Sequence, residues 1–290
     1  MITAWSRAGL AAALPLARAG RGSHQTSASA AVLTMGALHE GHLELIRRAR
    51  AAVGETGVVT LSIFVNPLQF GPTEDLDRYP RTLDADRWAA EDAGVDLTFV
   101  PDGAAVYQAG SPRVTIDPGP LGADLEGRAR PTHFRGVLTV VAKLLRLLEA
   151  DLTPFGEKDY QQLVLVRQML TELEQPTEVL SVPLVRDADG LALSSRNAYL
   201  SAAERAAALA LPAALQAGSA AAPNGPEAVL TAARAVLDAE PAVAVDYLVL
   251  RDPELGAAPT TGPARLLVAA RVGATRLLDN CAVVLGERAP

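Results

Sequence analysis

The chain has 290 residues, 49% of them hydrophobic and 20% charged, which is enough for two domains with a sizeable core and too apolar for a disordered chain. A formal net charge of −7 leaves no general basic face and argues against nucleic-acid binding. A lone cysteine, Cys281, excludes an internal disulfide and a cysteine-built zinc site and suits a reducing cytoplasm, and no run approaches 18 uninterrupted apolar residues, so no membrane span is expected.

The first 39 residues hold three Arg and no Asp or Glu. That composition resembles a targeting peptide, and it equally fits an Ala-rich first helix near Ser6 to Arg18 with a loose loop at Gly20 to Ser29. Ala30 to Thr34 reads as a short buried strand. Leu43, Ile46, Ala49 and Val53 then recur at helical spacing, and Gly54 and Gly57 close that helix. Val58 to Val65 is apolar on both faces, the pattern of a central parallel strand, and Asn66-Pro67 ends it. A loop through Gln69, Phe70, Gly71 and Pro72 leads to a helix that stops at Gly94. Val95 to Val100 is a strand, Val114 to Ile116 a short one, and Arg135 to Leu148 a strongly apolar helix. Ala150 to Phe155 is a further strand, turned by Gly156 into a helix carrying Tyr160 to Leu173, and Thr177 to Val182 follows as a strand.

Alternation of strands and helices over about 180 residues predicts an α/β fold with a doubly wound, Rossmann-like parallel sheet. After Val185 the pattern changes. Ser201-Ala-Ala-Glu204 is a capping box opening an Ala-rich helix, Pro223-Asn-Gly-Pro226 breaks it, and a second helix runs to Ala239. Val243 to Leu250, Arg265 to Ala270 and Thr275 to Leu285 read as strands. The expected division is 1–184 and 185–290, the second part a smaller α+β domain.

Four stretches carry chemistry. Thr34 to His42 places a glycine turn between a strand and a helix, where backbone N–H groups and the helix dipole favour an anion, and His39 and His42 lie three residues apart in it. Either histidine alone is ordinarily structural; as a pair beside Gly36 and Gly41 they fit phosphate contact. Phe155-Gly-Glu-Lys-Asp-Tyr-Gln-Gln162 is a second strand-to-helix turn, and Lys158 is one of only two lysines; a compact ammonium suits a phosphate as a point charge. Its plain reading is a charged helix start, with Asp159 as cap or ribose acceptor. Leu193-Ser-Ser-Arg196 offers two hydroxyls and a guanidinium for phosphates, or a solvated linker. Gln69 and Gln162 suit a hydroxy acid, and Asp84, Asp86 and Asp159 are candidates for holding Mg²⁺ near a nucleotide. No Walker-type loop or Ser-His-Asp order is present.

TMGALHEGH, SIFVNPLQF, YPRTLDADR, RPTHFRGV, FGEKDYQQL and LSSRNAYLS, in this order from Thr34 to Ser201, resemble the motifs of the pantothenate synthetase (pantoate–β-alanine ligase) family of His-x-Gly-His nucleotidyltransferases, a resemblance that covers about Ala31 to Leu285. The resemblance implies a cytoplasmic homodimer whose subunit joins a Rossmann-like domain to a C-terminal lid domain. It implies ATP- and Mg²⁺-dependent ligation of pantoate and β-alanine through pantoyl adenylate. Met35, Gly36, Ala37, Leu38, His39, Glu40, Gly41 and His42 would line the ATP site, with His42 the proton donor and His39 beside the phosphates. Gly156, Glu157, Lys158 and Asp159 would hold nucleotide, with Val185, Leu193, Ser194, Ser195 and Arg196 completing the site. Gln69 and Gln162 would bind pantoate. Leu33 stands where the family commonly has proline, Leu68 and Leu193 where methionine is frequent, and Ala85 in a run often richer in acids. An adenylyltransferase of the same superfamily and a non-catalytic nucleotide-binding homologue are the other readings.

Overall fold

The computed structural model describes residues 1–21, 28–71, 76–108 and 110–286; most of the loop expected at 20–29, and Pro72, lie outside them. The chain divides into two compact units, Met1–Gly156 with Gln161–Val182, and Glu157–Tyr160 with Pro183–Pro290.

The first unit begins with β1 (Ile2–Ala4) and α1 (Arg7–Gly20). Ser6 caps α1 by accepting from the Gly9 N–H, and Leu10, Ala13, Leu14 and Ala17 form its buried stripe. β2 (Ser29–Thr34), α2 (Glu40–Val53), β3 (Val58–Ile63), α3 (Leu83–Asp92) and β4 (Leu97–Phe99) follow, then α4 (Gly103–Tyr107), α5 (Glu126–Ala129), α6 (His133–Leu148), β5 (Leu152–Gly156), α7 (Tyr160–Glu172) and β6 (Glu178–Val182). The six strands form one all-parallel sheet in the order β1-β4-β3-β2-β5-β6.

The Rossmann-like expectation holds. Ala30, Val32, Val59, Leu61 and Ile63 face Ile46, Ala49 and Val53 of α2 and Ala90 of α3 in one buried cluster. Alternation turns Ala31, Val58 and Thr60 to the opposite face, and these are buried as well. Each such large apolar side chain contributes roughly 1.5–3 kcal/mol by leaving water, and a sheet covered on both faces needs the near-continuous apolar runs that β2 and β3 carry. β2 pairs with β3 without interruption from Ser29↔Val58 to Thr34↔Ile63, so Leu33 sits in a fully formed strand. From β2 the chain winds outward through β3 and β4, then crosses back to β5 on the other side. The sheet therefore reverses between β2 and β5, and the crevice outside the carboxyl ends of these neighbours is where an open α/β sheet takes its ligand.

One expectation fails in this unit, and one strand is additional to the expected elements. Val114 to Ile116 is not a strand: Val114 is exposed, and the Ile116 N–H donates to Thr139 Oγ1 at 3.0 Å rather than to a neighbouring strand. β-Branched residues favour a strand only where a partner exists to pair with. β1 has no counterpart in the sequence reading, since three residues carry too little periodicity to register.

The second unit contains α8 (Ala202–Ala208), α9 (Ala210–Ala220), α10 (Pro226–Asp238) and an antiparallel sheet β7 (Val243–Arg251), β8 (Gly262–Val272) and β9 (Thr275–Leu285), in the order β7-β8-β9. The Ser201–Glu204 capping box is formed. The Ala-rich helix expected as one piece is interrupted at Leu209. Pro212 explains the break, because it has no N–H for the Ala208 carbonyl and its ring crowds that position. Leu211, Leu215, Val229, Leu237, Leu266 and Val268 build the core between the helices and the sheet.

Candidate active site

Thr34 ends β2, and its hydroxyl donates to the Ser62 carbonyl at 3.0 Å while accepting from the Gly36 N–H at 3.3 Å. Gly36 and Ala37 then adopt φ of 87° and 52°. Left-handed backbone at two successive positions is costly for Ala37 and explains the glycine before it. Asp86, 3% exposed, holds this turn: it accepts from the Ala37 N–H at 3.0 Å, the Leu38 N–H at 2.8 Å and the Thr82 hydroxyl at 3.1 Å. The acid read in the sequence as a candidate for Mg²⁺ is thus engaged with the backbone of the His39 loop. Among the described residues, no group of three His, Cys, Asp or Glu side chains is placed to hold a metal ion.

His39 is the N-cap of α2, in extended backbone at φ −128° and ψ 175°. Its Nδ1 accepts from the Gly41 N–H at 3.1 Å, and His42 Nδ1 accepts from the His39 N–H at 3.3 Å. The rings stack at 4.0 Å between centroids, tilted by 30°. With Nδ1 an acceptor in both, the N–H of each ring is carried on Nε2, and both rings stand at the positive end of a helix. Glu40, exposed in the first turn, has its carboxyl pKa lowered by its hydrogen bond with Arg47.

Gln69 follows β3. Its Nε2 donates to Met35 Sδ at 3.0 Å and its Oε1 accepts from Asn66 Nδ2 at 3.1 Å, so the first and second motifs meet here. Asn66, 1% exposed, also donates to the Gly136 carbonyl at 3.1 Å and accepts from the Tyr107 hydroxyl at 2.6 Å. Burial raises the Tyr107 phenol pKa above its ordinary value, which keeps it a donor. α6 approaches this turn so closely that a Cβ on Gly136 would lie 2.3 Å from the Leu68 carbonyl oxygen. His133 Nδ1 donates to the Gln69 carbonyl at 3.0 Å and its Nε2 accepts from Arg130 at 3.1 Å, one consistent tautomer for a structural histidine. Gln162 lies in the first turn of α7, partly buried. Its neighbour Gln161 is structural, with its amide bonded to the backbone of Glu126, Leu121 and Asp124. Gly156 closes β5, beside Val182 of β6.

In the second unit Glu157, Lys158 and Asp159 form a single 3-10 turn. Lys158 Nζ lies 3.5 Å from Asp159 Oδ1, and the lysine side chain is 23% exposed. A hairpin brings Val185 and Leu193 together: the Leu193 N–H donates to the Val185 carbonyl at 3.0 Å, and Arg186 bridges to Ala192. Arg186 makes a two-pronged ion pair with buried Asp279 at 2.7 and 2.9 Å, which raises the Arg186 pKa. Ser194 accepts from the Arg196 N–H at 3.2 Å and opens a 3-10 helix at Ser195–Tyr199, while Asn197 donates to the Ala192 carbonyl at 3.0 Å. Residues 193–197 are half-buried in this turn. Asp86 as a loop anchor, Tyr107, Arg265 and Asn280 went unread in the sequence because their partners are distant in the chain and none lies in a local pattern.

The geometry is an anion-receptive strand–turn–helix at the reversal of a parallel sheet, with a carboxamide from the next strand end against it. Residues 11–282 match the Pantoate-beta-alanine ligase family. Pantothenate synthetase of Saccharopolyspora erythraea is 62% identical over 257 residues, covering 89% of this chain and 84% of that one, and that of Nocardia farcinica is 58% identical over 271 residues, covering 93% and 83%. Among solved structures, pantothenate synthetase from Thermus thermophilus superposes with a TM-score of 0.86 at 44% identity, over 97% of this chain and 99% of that chain. Pantoate-beta-alanine ligase from Francisella tularensis, complexed with beta-gamma ATP and beta-alanine, gives 0.76 at 30% identity over 97% of each. With the family model matched over residues 11–282 and relatives near 60% identical over most of both chains, the chain belongs to the pantoate–beta-alanine ligase family.

Proposed function

We propose that this chain ligates pantoate to β-alanine at the expense of ATP, through pantoyl adenylate. The pantoate carboxylate attacks the α-phosphorus of ATP, and the bond to pyrophosphate breaks. The β-alanine amine then attacks the acyl carbon, the acyl carbon–oxygen bond breaks with its electron pair going to AMP, and the proton lost by the nitrogen passes to solvent. The observation that carries the reading is the reciprocal cap of His39 and His42 at the carboxyl end of β2. It sets two imidazoles at a helix N-terminus, an arrangement that stabilises charge developing on phosphoryl oxygens.

In this reading Met35 to His42 line the ATP site, His42 donates a proton and His39 contacts phosphate. Gln69 and Gln162 bind the pantoate hydroxyls and carboxylate, Gln69 also meeting β-alanine. Gly156 to Asp159 hold the nucleotide with Lys158 on the phosphates, and Val185 with Leu193 to Arg196 complete the site. The C-terminal unit, from 185 onward, acts as a lid on the ATP- and pantoate-binding domain of 1–184. Magnesium, which keeps its waters and binds chiefly through substrate phosphates, would arrive with ATP and would supply charge neutralisation on those phosphates; among the described residues no group of three His, Cys, Asp or Glu is placed to hold it. The family's cytoplasmic, homodimeric state belongs to the same proposal. No helix among the described residues is long and apolar enough to cross a membrane.

The test is a three-substrate assay with Mg²⁺. Pyrophosphate and AMP are expected only with pantoate present, and pantothenate only once β-alanine is added. Pyrophosphate released without pantoate, or no turnover with all three substrates, would sink the reading.

A further inference from the structure

Lys158 stands on a turn whose backbone is held by two buried side chains of the three-stranded sheet. Asn280 of β9, 4% exposed, donates its Nδ2 to the carbonyl oxygens of Glu157 at 2.9 Å and Lys158 at 3.0 Å. Its Oδ1 accepts from Arg265 Nε at 2.7 Å. Arg265 of β8, 6% exposed, reaches Glu157 Oε2 through Nη2 at 2.9 Å. The Arg265 guanidinium also lies 4.0 Å from the centre of the Tyr160 ring, and the Tyr160 hydroxyl donates to the Pro253 carbonyl at 3.1 Å. Asn280 is itself fixed by its N–H, which donates to Asp279 Oδ1 at 2.7 Å, the carboxylate that receives Arg186.

A guanidinium and an amide on a sheet whose buried positions are mostly Leu, Val and Ala are expensive to bury, and an apolar replacement of equal volume is often as stable or more so. Stability alone therefore gives this network little reason to exist. What it does fix is geometry: two consecutive carbonyls, one of them the lysine's own, are tied to a rigid strand. A flexible four-carbon stem delivers its ammonium reproducibly only if its backbone is held. The turn follows β5 in sequence yet groups with the second unit, so it is β8 and β9 that hold it.

We propose that Asn280 and Arg265 are positioning residues for Lys158, setting its ammonium for the adenylate-forming step. This rests on the reading above that Lys158 contacts ATP phosphates. Asn280 acts through the Glu157 and Lys158 carbonyls, and Arg265 through Asn280 and the Glu157 carboxylate.

The test separates the two half-reactions, pantoate-dependent ATP–pyrophosphate exchange and aminolysis of supplied pantoyl adenylate by β-alanine. Asn280→Asp keeps the shape and the acceptor for Arg265 while removing both donors to the turn. Exchange should fall on the order of 10- to 100-fold, the scale of a misplacement near 1 Å. Aminolysis and the KM for pantoate should stay close to wild type, while the two lost donor bonds lower the Tm. In a Lys158→Ala background, Asn280→Asp should cause no further loss, since residues acting as one unit are not additive. Wild-type exchange in a folded Asn280→Asp protein, equal loss in both half-reactions, or full additivity with Lys158→Ala would overturn the proposal. Arg265→Lys, which keeps the charge and loses the fork, is the second variant; failure of both to fold would make the network a stability element and overturn it as well. Absence of pantoate-dependent exchange in the wild-type protein would instead strike the ligase reading, and this proposal with it.

Discussion

His39 and His42 share one helical turn through their Nδ1 atoms: His42 accepts from the His39 N–H at 3.3 Å, and His39 accepts from the Gly41 N–H at 3.1 Å. The capping box usually built from Ser or Thr with Glu is here built from two imidazoles. One pair of side chains thereby starts α2 and arms its N-terminus.

The two duties can be separated. Asn is among the best N-cap residues, so His39→Asn should retain the helix start and a Tm within a few degrees of wild type while removing the ring. Pantoate-dependent exchange should fall at least about 100-fold in His42→Asn, the lower range for a lost general acid, and less in His39→Asn. Calorimetry and exchange measured on the same preparations check both; unchanged rates would leave the histidines as caps alone.

Asp86 is expected to matter without metal. Asp86→Asn replaces a carboxylate accepting from two backbone N–H groups and a hydroxyl with a group that can present a donor to them. Hydrogen bonds to a charged acceptor contribute about 1.5–3 kcal/mol, so urea unfolding should show a loss of about 2 kcal/mol, the same with Mg²⁺ as with a chelator. A loss seen only with Mg²⁺ would return Asp86 to the role of a metal ligand.

Local signals in the sequence carried the fold a long way. The Ser201–Glu204 box, the β3 run and the stop at Gly94 are decided within a few residues, and each stands where its pattern put it. The break at Leu209 was legible in principle from Pro212, but an Ala-rich stretch on either side outweighed it. Val114 to Ile116 had strand propensity and no partner. The site divides the same way. His39 and His42 announce themselves by spacing, whereas Asp86 lies 49 positions from the Ala37 N–H it holds and Asn280 lies 122 from Lys158. No periodicity connects such pairs; only the sheet topology brings them together.

Gly136 sets how closely α6 meets the Gln69 turn. A methyl group there would lie 2.3 Å from the Leu68 carbonyl oxygen and 2.6 Å from the Gln69 nitrogen, both backbone atoms that cannot swing aside. Gly136→Ala should destabilise the protein by about 1–3 kcal/mol, the range for overpacking, and raise the KM for pantoate by displacing Gln69. Urea unfolding and steady-state kinetics with pantoate varied check the two effects. An unchanged KM in a folded variant would detach Gln69 from pantoate.

Cys281 gives a prediction whose sign follows from burial. Removal from water pushes the thiol pKa up to about 11, with Arg265 opposing that shift, Asp279 adding to it and Arg186 opposing it. The unfolded thiol ionises near about 8.5. Between those values the folded state retains a proton that the unfolded state has lost, so the contribution to stability is full below about pH 8.5 and falls as pH rises toward 11. Unfolding free energy measured from pH 8 to 11 should therefore decline less steeply in Cys281→Ala than in wild type. At pH 9 the native thiol should react with a disulfide reagent far more slowly than the urea-unfolded chain, because the thiolate is the nucleophile. Equal rates in the two states would mean that the thiol ionises as freely in the fold as in water, and the difference in slope should then vanish too.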